Sequence, residues 1–336
     1  MKKLFLIVTA MFAVVSFSAC SDDDDNGSGS DLARPALPDP NDVCSCMDDL
    51  LFMDYCYAFF DINKDSKVSK AEAEAAKTID FDDSDWENEN NKKDIKSLKG
   101  IGYFVNLEEL DCPYASLTEV DLSQNKKLTS IYFYQCEALE RVTLPSTLTS
   151  ISVEAFGGCT SLTNITIPNS VTLIEDSAFI GCTNLTSITI PNNVTSIEDQ
   201  AFNYCDNLQS FKGKFASSDN RCLIMNDGTL VAFAPAGLTE YTIPDGVTKI
   251  GRCALNGCDN LTNITIPESV RSIGDSGLYC ENLKEIYCKP STPPSLGYYD
   301  VFPSSAKIYV PTKSVNAYKA ANGWNKYADQ IVGYDF

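Results

Sequence analysis

Residues 159–182 read CTSLTNITIPNSVTLIEDSAFIGC, and residues 182–205 read CTNLTSITIPNNVTSIEDQAFNYC. The two stretches share a 23-residue phrase in which leucine, isoleucine-proline, valine, alanine-phenylalanine and cysteine return at fixed places. A repeat of about 20 to 50 residues marks a solenoid, because each unit buries its apolar face only against its neighbours. The repeat therefore predicts stacked coils with one core that runs along the chain.

Further copies of the phrase extend the repeat beyond this stretch. The leucines that begin it stand 23 residues apart at Leu139, Leu162, Leu185 and Leu208. A shorter phrase, Leu-x-x-Leu-x-Leu-x-x-Asn/Cys, precedes them from residue 107 to 136 and is typical of leucine-rich repeats. A coil of 23 residues has no room for a strand and a long helix. We therefore expect parallel front strands, with short strands, turns or 3₁₀ segments at the back.

The copies that combine Ile-Pro with Ala-Phe-x-x-Cys resemble the BspA-like leucine-rich repeats of bacterial surface proteins. The resemblance covers most of residues 100–336, and Leu255 and Leu278 depart from it by replacing the usual phenylalanine. It implies a mostly β, right-handed solenoid of short parallel strands with irregular segments between them. With the N-terminal features described below, the chain resembles a BspA-like surface lipoprotein of Gram-negative anaerobes, which implies adhesion to host or neighbouring-cell proteins.

One slot of the repeat holds cysteine in most coils and Asn125 in an early one. An inward side chain there satisfies backbone groups of the turns, and the small body and weak S–H donor of cysteine suit that role. Equivalent residues of successive coils lie about 4.8 Å apart, which permits a disulfide in principle. We nevertheless expect buried, reduced thiols. The predicted thiol ladder consists of Cys136, Cys159, Cys182, Cys205, Cys258 and Cys280.

Residues 61–72 read DINKDSKVSKAE and have the spacing of an EF-hand loop. Oxygen-bearing side chains occupy loop positions 1, 3, 5, 9 and 12, as in loops that bind Ca²⁺. Position 6 departs from the pattern, because Ser66 stands where glycine normally takes a positive φ. We expect a stabilising calcium site, and an acidic helix–loop–helix without metal is the alternative. The predicted ligands are Asp61, Asn63, Asp65, the carbonyl of Lys67, Ser69 and Glu72.

The N-terminus has the features of an export signal followed by an anchor. Two lysines and a short apolar run lead to the peptide Phe17–Cys20, which resembles the bacterial lipobox. In that motif the cysteine, here Cys20, is lipidated and becomes the mature N-terminus. The acidic run Asp22–Asp25 and the Gly-, Ser- and Pro-rich residues after it predict a solvated tether. Acidic residues at this place also resemble a surface-export signal, so we expect outer-membrane anchoring with surface exposure, and periplasmic retention is the alternative.

Charge and composition exclude several classes of function. The 336 residues include 26 Lys and Arg against 46 Asp and Glu, a net charge of −20 that disfavours nucleic acid as a partner. There is no histidine, so histidine-dependent catalytic and zinc sites are excluded. A carboxylate glycosidase needs two acids about 5–9 Å apart in a cleft. Glu154, Glu175 and Glu198 instead predict a solvated row on the back of the coils, so we expect no enzyme.

Two features outside the repeat core are candidates for recognition. Residues 208–237 break the 23-residue period, and Asn226-Asp227-Gly228 between two apolar segments predicts a hairpin over 221–233. The segment is either an irregular coil or a projecting finger that shapes a binding surface. The outward strand positions, where threonine is also simply a good strand residue, carry no repeated aromatic residue. They form a candidate binding face of Thr143, Thr166, Thr189, Lys212, Thr242 and Thr265.

The predicted organisation has five segments. They are a signal peptide at 1–19, a lipid-anchored tether at 20–41, a helical EF-hand-like segment at 42–95, leucine-rich repeats at 96–290 and a C-terminal helical cap at 291–336. A solenoid must seal its open apolar end, and Trp324 and Tyr327 supply aromatic side chains for that purpose. The predicted function is a surface-exposed recognition module for an extracellular protein, with glycan capture for a polysaccharide uptake system as the alternative.

Overall fold

The computed structural model describes residues 38–81 and 94–336. The predicted signal peptide, Cys20 and most of the tether lie outside these residues. Within the described ranges, no helix is both long and apolar enough to cross a membrane.

Helical segments flank the repeats, and their starts follow from local sequence. The helix α1 (Leu50–Phe60) begins after Asp49, whose carboxylate accepts hydrogen bonds from two backbone N–H groups of the first turn. The helix α2 (Lys70–Ala75) begins with a capping box between Ser69 and Glu72. The other helical segments within residues 38–81 and 94–336 are α3 (Val315–Ala320) and the 3₁₀ helices Val43–Cys46, Ile101–Tyr103, Thr312–Ser314 and Asn325–Tyr327.

Two rows of short strands run along the coils and are called here the front row and the back row. The front row contains β3 (Glu119–Asp121), β5 (Arg141–Thr143), β8 (Ser187–Ile190), β10 (Ser210–Gly213), β13 (Glu240–Thr242), β15 (Asn263–Ile266), β17 (Glu285–Cys288), β19 (Lys307–Pro311) and β20 (Ile331–Tyr334). The back row contains β1 (Thr78–Asp80), β2 (Glu109–Asp111), β4 (Ser130–Tyr132), β6 (Ser150–Ile151), β7 (Leu173–Ile174), β9 (Ser196–Ile197), β11 (Cys222–Ile224), β12 (Thr229–Phe233), β14 (Lys249–Ile250), β16 (Ser272–Ile273) and β18 (Ser295–Leu296).

Strands of neighbouring coils pair in parallel within each row, which confirms the predicted solenoid and its short back strands. The front row is divided into β3–β5, β8–β10 and the five-stranded run from β13 to β20. The back row is divided into β1-β2-β4, β6-β7-β9 and a sheet that runs from β11 through β18. Strand β1 thereby joins the N-terminal helical segment to the first coil.

The front row is interrupted where the sequence predicts another strand. Residues 164–167 are not assigned to a strand, although Ile165 and Ile167 are buried there and Thr166 between them is exposed. The side-chain alternation of the repeat is therefore kept without the regular ladder of backbone hydrogen bonds. Alternation of inward and outward side chains follows from the two-residue period of extended backbone.

The hairpin in the irregular coil is part of the solenoid, so the projecting-finger interpretation is wrong. Strands β11 and β12 pair antiparallel, with a shift of register between Leu223 and Ile224. Strand β12 also pairs in parallel with β14, which makes it a member of the back row. Both strands bury apolar side chains, including Leu223 and Leu230, while the tip at Asn226 and Asp227 is exposed. Burying these side chains holds the hairpin against its neighbours, because exposing them to water would cost free energy.

A stack of phenylalanine rings occupies the core of the regular coils. The rings of Phe133, Phe156, Phe179 and Phe202 are stacked in order, with centroids 6.0, 5.4 and 5.4 Å apart. All four side chains are buried. The one-coil spacing of phenylalanine in the sequence thus becomes a continuous column of offset rings, an arrangement that aromatic pairs favour.

The C-terminal residues close the far end of the core, as predicted. Trp324 and Tyr318 are fully buried, and their ring centroids are 4.7 Å apart. The indole N–H of Trp324 donates a hydrogen bond to the carbonyl oxygen of Pro294 at 2.7 Å. The ring of Phe302 packs against Trp324 and against Tyr327, so four aromatic side chains form one cluster.

Candidate binding face and calcium loop

Five of the six predicted ladder thiols, all except Cys258, donate a hydrogen bond to a backbone carbonyl oxygen, which is the role that the sequence predicts. The Sγ–H of Cys159 donates to the carbonyl oxygen of Phe133 at 3.2 Å, and that of Cys182 donates to Phe156 at 3.1 Å. Asn125, in the same slot, donates through its Nδ2 group to two carbonyl oxygens in the preceding turn. The predicted burial of the ladder is confirmed for all its members, which are Cys136, Cys159, Cys182, Cys205, Cys258 and Cys280.

Burial also makes these thiols poor nucleophiles. Desolvation raises the pKa of Cys136 and of Cys205 to about 12, and it raises the pKa of Cys182 well above its usual range. The thiolate is the reactive form of cysteine, and almost none is present at neutral pH in such an environment.

We therefore expect native thiols to react slowly with a disulfide reagent such as DTNB at pH 7.5. In protein that carries Cys20→Ser, only the half-buried Cys46 is expected to react within minutes. All 13 described cysteines are free, so denaturation should release 13 reactive thiols. A denatured count lower by an even number would reveal disulfides, and several fast native thiols would contradict the buried ladder.

The candidate binding face lies on the outward side of the front row. Lys212 pairs with Thr189 in register, and Thr242 pairs with Thr265 in the next sheet along the row. Thr143 is exposed on β5. The structure therefore brings the predicted residues to one side of the coils, but the irregular coil separates Lys212 from Thr242. Whether this face binds a partner stays a prediction.

Aromatic side chains continue this face, which the sequence analysis missed. Tyr287 pairs in register with Thr265, and Tyr309 pairs with Tyr287, so both occupy the outward position of the row. Their rings are stacked with centroids 4.9 Å apart and planes inclined by 13°. The signal was present in the sequence, because Cys288 takes the inward slot that Ile190 has in β8, which places Tyr287 in the slot of Thr189.

The backbone of residues 61–72 takes a left-handed conformation at two residues. Ser66 adopts φ +66° and Lys64 adopts φ +60°, so serine takes the left-handed turn at loop position 6 despite its cost. The loop connects α1 to α2, and Ser69 and Glu72 at its end form the capping box of α2.

The side-chain oxygens of the loop turn towards its own backbone N–H groups. The carboxylate of Asp61 accepts from the N–H groups of Asp65 and Ser66, and Asn63 Oδ1 accepts from Asp65. Glu72 Oε1 accepts from Ile62, while Oε2 accepts from Ser69. Hydrogen bonds from Ser69 lower the pKa of Glu72, so this carboxylate is ionised at neutral pH.

Oxygen donors of this kind are the ligands that Ca²⁺ prefers. Among the described residues, no three His, Cys, Asp or Glu side chains already converge on one metal-sized point.

The acidic row on the back is less regular than the sequence analysis expected. Glu175 and Glu198 occupy equivalent places, since each backbone N–H donates to an isoleucine carbonyl of the preceding coil. Glu154 belongs to a different slot, which Ser177 and Gln200 also occupy, and all three have positive φ. The 23-residue period explains this difference, because Ser177 follows Glu154 by 23 residues, whereas Glu175 follows it by only 21.

Residues 112–221 and 230–309 match the family described as BspA type leucine rich repeat region, in six copies. The chain belongs to this family. Between them, the two matched ranges leave out residues 222–229, which form β11, the tip of the hairpin and the first residue of β12. No curated protein matches the chain.

Several solved structures are similar to this BspA type repeat protein. A leucine rich cell surface protein from Faecalibacterium prausnitzii is 24% identical, with a TM-score of 0.45, over 69% of this chain and 74% of that one. A leucine-rich repeat protein from Bacteroides ovatus is 21% identical, with a TM-score of 0.33, over 70% of this chain and 56% of that one. The pneumococcal vaccine antigen PcpA is 14% identical, with a TM-score of 0.31, over 68% and 80%.

Proposed function

We propose that this BspA type repeat protein is a non-catalytic recognition module that binds an extracellular protein through the outward side of its front row. The observation that carries the proposal is the register of the front row. It places polar side chains from successive coils on one exposed side, while the apolar side chains face a continuous core. A stable protein contact buries about 800 Å² on each partner, which several coils of such a face can supply.

The test compares variants on the two rows for binding to a panel of purified extracellular matrix proteins. The double change Thr166→Lys and Thr189→Lys adds bulk and charge to the exposed front face, and we expect it to weaken binding at least tenfold. Val153→Lys is the control, because Val153 is 48% exposed and follows β6 in the back row. Loss of binding in the control alone would contradict the proposal. Binding to glycans and to no protein would favour the alternative, glycan capture.

We further propose that Cys20 carries a lipid and holds the protein at the cell surface. The lipobox-like peptide before it and the acidic tether after it support this proposal. Buried lipid methylenes contribute about 0.8 kcal/mol each to membrane binding. Cys20→Ala should therefore abolish fatty-acid labelling and release the protein from membranes. Protection of the wild-type protein from protease added to intact cells would indicate the periplasmic alternative.

Calcium at the N-terminal loop is proposed as a stabiliser of the first coils. Asp61, Asn63, Asp65 and Glu72 would supply side-chain oxygens, and Ser66 already adopts the turn that such a loop needs. The bound ion would neutralise the loop's carboxylates and connect the ends of α1 and α2. Because β1 follows α2 and pairs with β2, ordering this loop should also stabilise the N-terminal end of the solenoid.

We expect calcium to raise the thermal midpoint of the wild-type chain. At a concentration tenfold above the Kd, a ligand that binds only the folded state adds about 1.4 kcal/mol. Glu72→Gln should cancel this gain while keeping the capping box, since glutamine also serves at that position. Glu74→Gln removes the same charge two residues further along α2; it is the matched control and should retain the gain. Equal midpoints in calcium and in a chelator would contradict the proposal.

A further inference from the structure

An open pocket lies on the front face at β13, β15 and β17. Its volume is about 470 Å³, which is within the usual range for ligand sites. Thr242 and Thr265 belong to the candidate binding face described above. Two residues earlier on the same strands, Asn263 pairs in register with Glu240 on one side and with Glu285 on the other. The residues that line the pocket are Glu240, Tyr241, Thr242, Asn263, Thr265 and Tyr287.

The ring of Tyr287 forms one wall of this pocket and is held in place by three contacts. Tyr309, on the strand beyond it, stacks against one side of the ring, while the pocket borders the side towards Thr265. Tyr334 packs edge-on against both rings, with centroids 5.4 and 5.7 Å away. The Tyr287 hydroxyl donates a hydrogen bond to Glu285 Oε2 at 2.8 Å. The wall is therefore rigid before any partner arrives, which reduces the entropic cost of binding.

The polar side chains of the pocket are available to a partner. Glu240, Thr242, Asn263 and Thr265 make no side-chain hydrogen bond or ion pair with any residue in the described ranges. Threonines just before the front strands differ: the Thr262 hydroxyl, for example, donates to a carbonyl oxygen of the preceding coil at 3.0 Å. The pocket thus combines two tyrosine rings, of which Tyr241 is held by a hydrogen bond from its hydroxyl to Asp219, with polar groups that have kept their hydrogen-bonding capacity.

The charge of the pocket is negative. Glu240 lines the pocket, and Glu285, two strands further along the front row, accepts the hydrogen bond from the Tyr287 hydroxyl. The hydrogen bond to Glu285 raises the pKa of Tyr287 to about 12, so the ring stays a neutral phenol at physiological pH. Lys307 is next in the row after Glu285, on the side away from the pocket, and no ion pair joins the two. The chain as a whole has a net charge of −20.

We propose that this pocket receives a cationic side chain, arginine or lysine, from a basic segment of the protein partner. The cation would lie against the open side of the Tyr287 ring, where the negative face of an aromatic ring attracts it. The carboxylate of Glu240 and the amide oxygen of Asn263 would accept hydrogen bonds from the N–H groups of the cation. The proposal rests on the proposed function, because it names the anchor point of the front face and the charge of its partner. An anionic ligand is disfavoured by both glutamates, and a neutral sugar would leave the charge of Glu240 unused.

The test uses the full chain carrying Cys20→Ser and a hexa-arginine peptide as probe, with affinity measured by calorimetry in 150 mM salt. We expect Tyr287→Ala to weaken binding about tenfold, since a cation–π contact of this kind contributes about 1–2 kcal/mol. Tyr287→Phe keeps the ring and should stay within about twofold of wild type. Glu240→Gln should weaken binding several-fold, whereas Glu137→Gln removes the same charge from an exposed site in another coil and should have little effect.

Two results would overturn the proposal. If Glu240→Gln and Glu137→Gln weaken binding equally and Tyr287→Ala has no effect, the peptide binds through the net charge of the chain and not at the pocket. Binding of a neutral hexasaccharide that Tyr287→Ala abolishes, without binding of the basic peptide, would make the pocket a sugar site. The proposed function is tested separately: a matrix protein that needs Thr189 but ignores Tyr287→Ala would leave that function standing and remove only this anchor.

Discussion

Replacing Phe179 by alanine is expected to lower the free energy of unfolding by about 3–5 kcal/mol. Phe179 is fully buried, and its ring lies between those of Phe156 and Phe202, inclined to them by 9° and 4°. Alanine would leave a cavity in the middle of this column and remove both ring contacts. A solenoid core is only a few side chains wide, so neighbouring coils have little freedom to fill the gap.

Phe179→Leu is the matched control for this change. Leucine already fills the equivalent slot in later coils, as Leu255 and Leu278, and both are fully buried there. We therefore expect leucine to cost about 1.5 kcal/mol or less, because it keeps most of the apolar volume. The comparison is made by urea denaturation followed by circular dichroism. Equal losses for alanine and leucine would contradict the expected small cost of leucine and would show that the rings themselves, rather than the filled volume, supply the stabilisation.

The regular part of the fold follows from the sequence because its information is local and periodic. Once Leu162 and Leu185 fix the period, the two-residue alternation of a strand decides that Ile188 faces inward and Thr189 faces outward. The cysteine slot is predictable for the same reason, since Asn125 shows what an inward side chain at that place must do. The loop at residues 61–72 is likewise local, and its turn at Ser66 was foreseeable from spacing alone.

The features that sequence analysis missed depend on which segments meet in space. The hairpin strands β11 and β12 are recognisable, but their place in the back row depends on pairing with β14, which no local pattern reveals. The stack of Tyr287 and Tyr309 also depends on contacts between different coils. Tyr309 belongs to a coil that no longer follows the repeat phrase, so its stacking on Tyr287 becomes visible only from the strand register.

Replacing Trp324 by alanine is expected to cost about 3–5 kcal/mol and to loosen the C-terminal end before the rest of the chain. Trp324 is fully buried against Tyr318 and Phe302, and its indole N–H satisfies the carbonyl oxygen of Pro294. Each coil is stabilised mainly by its neighbours, so an open cap should let the last coils fray one after another. Hydrogen exchange should accelerate first in β19 and β20 and remain slow in β8.

Trp324→Phe separates the ring from its hydrogen bond. It keeps an aromatic side chain but leaves the Pro294 carbonyl without its donor, which should cost about 1–3 kcal/mol. The cap also supports the proposed anchor, because Tyr309 lies on β19 and Tyr334 lies on β20. Fraying of these strands would release the stack behind Tyr287, so Trp324→Ala should weaken binding of the basic peptide without changing any pocket residue. Uniform acceleration of exchange along all coils would instead show that the solenoid unfolds as one unit, with no separate role for the cap.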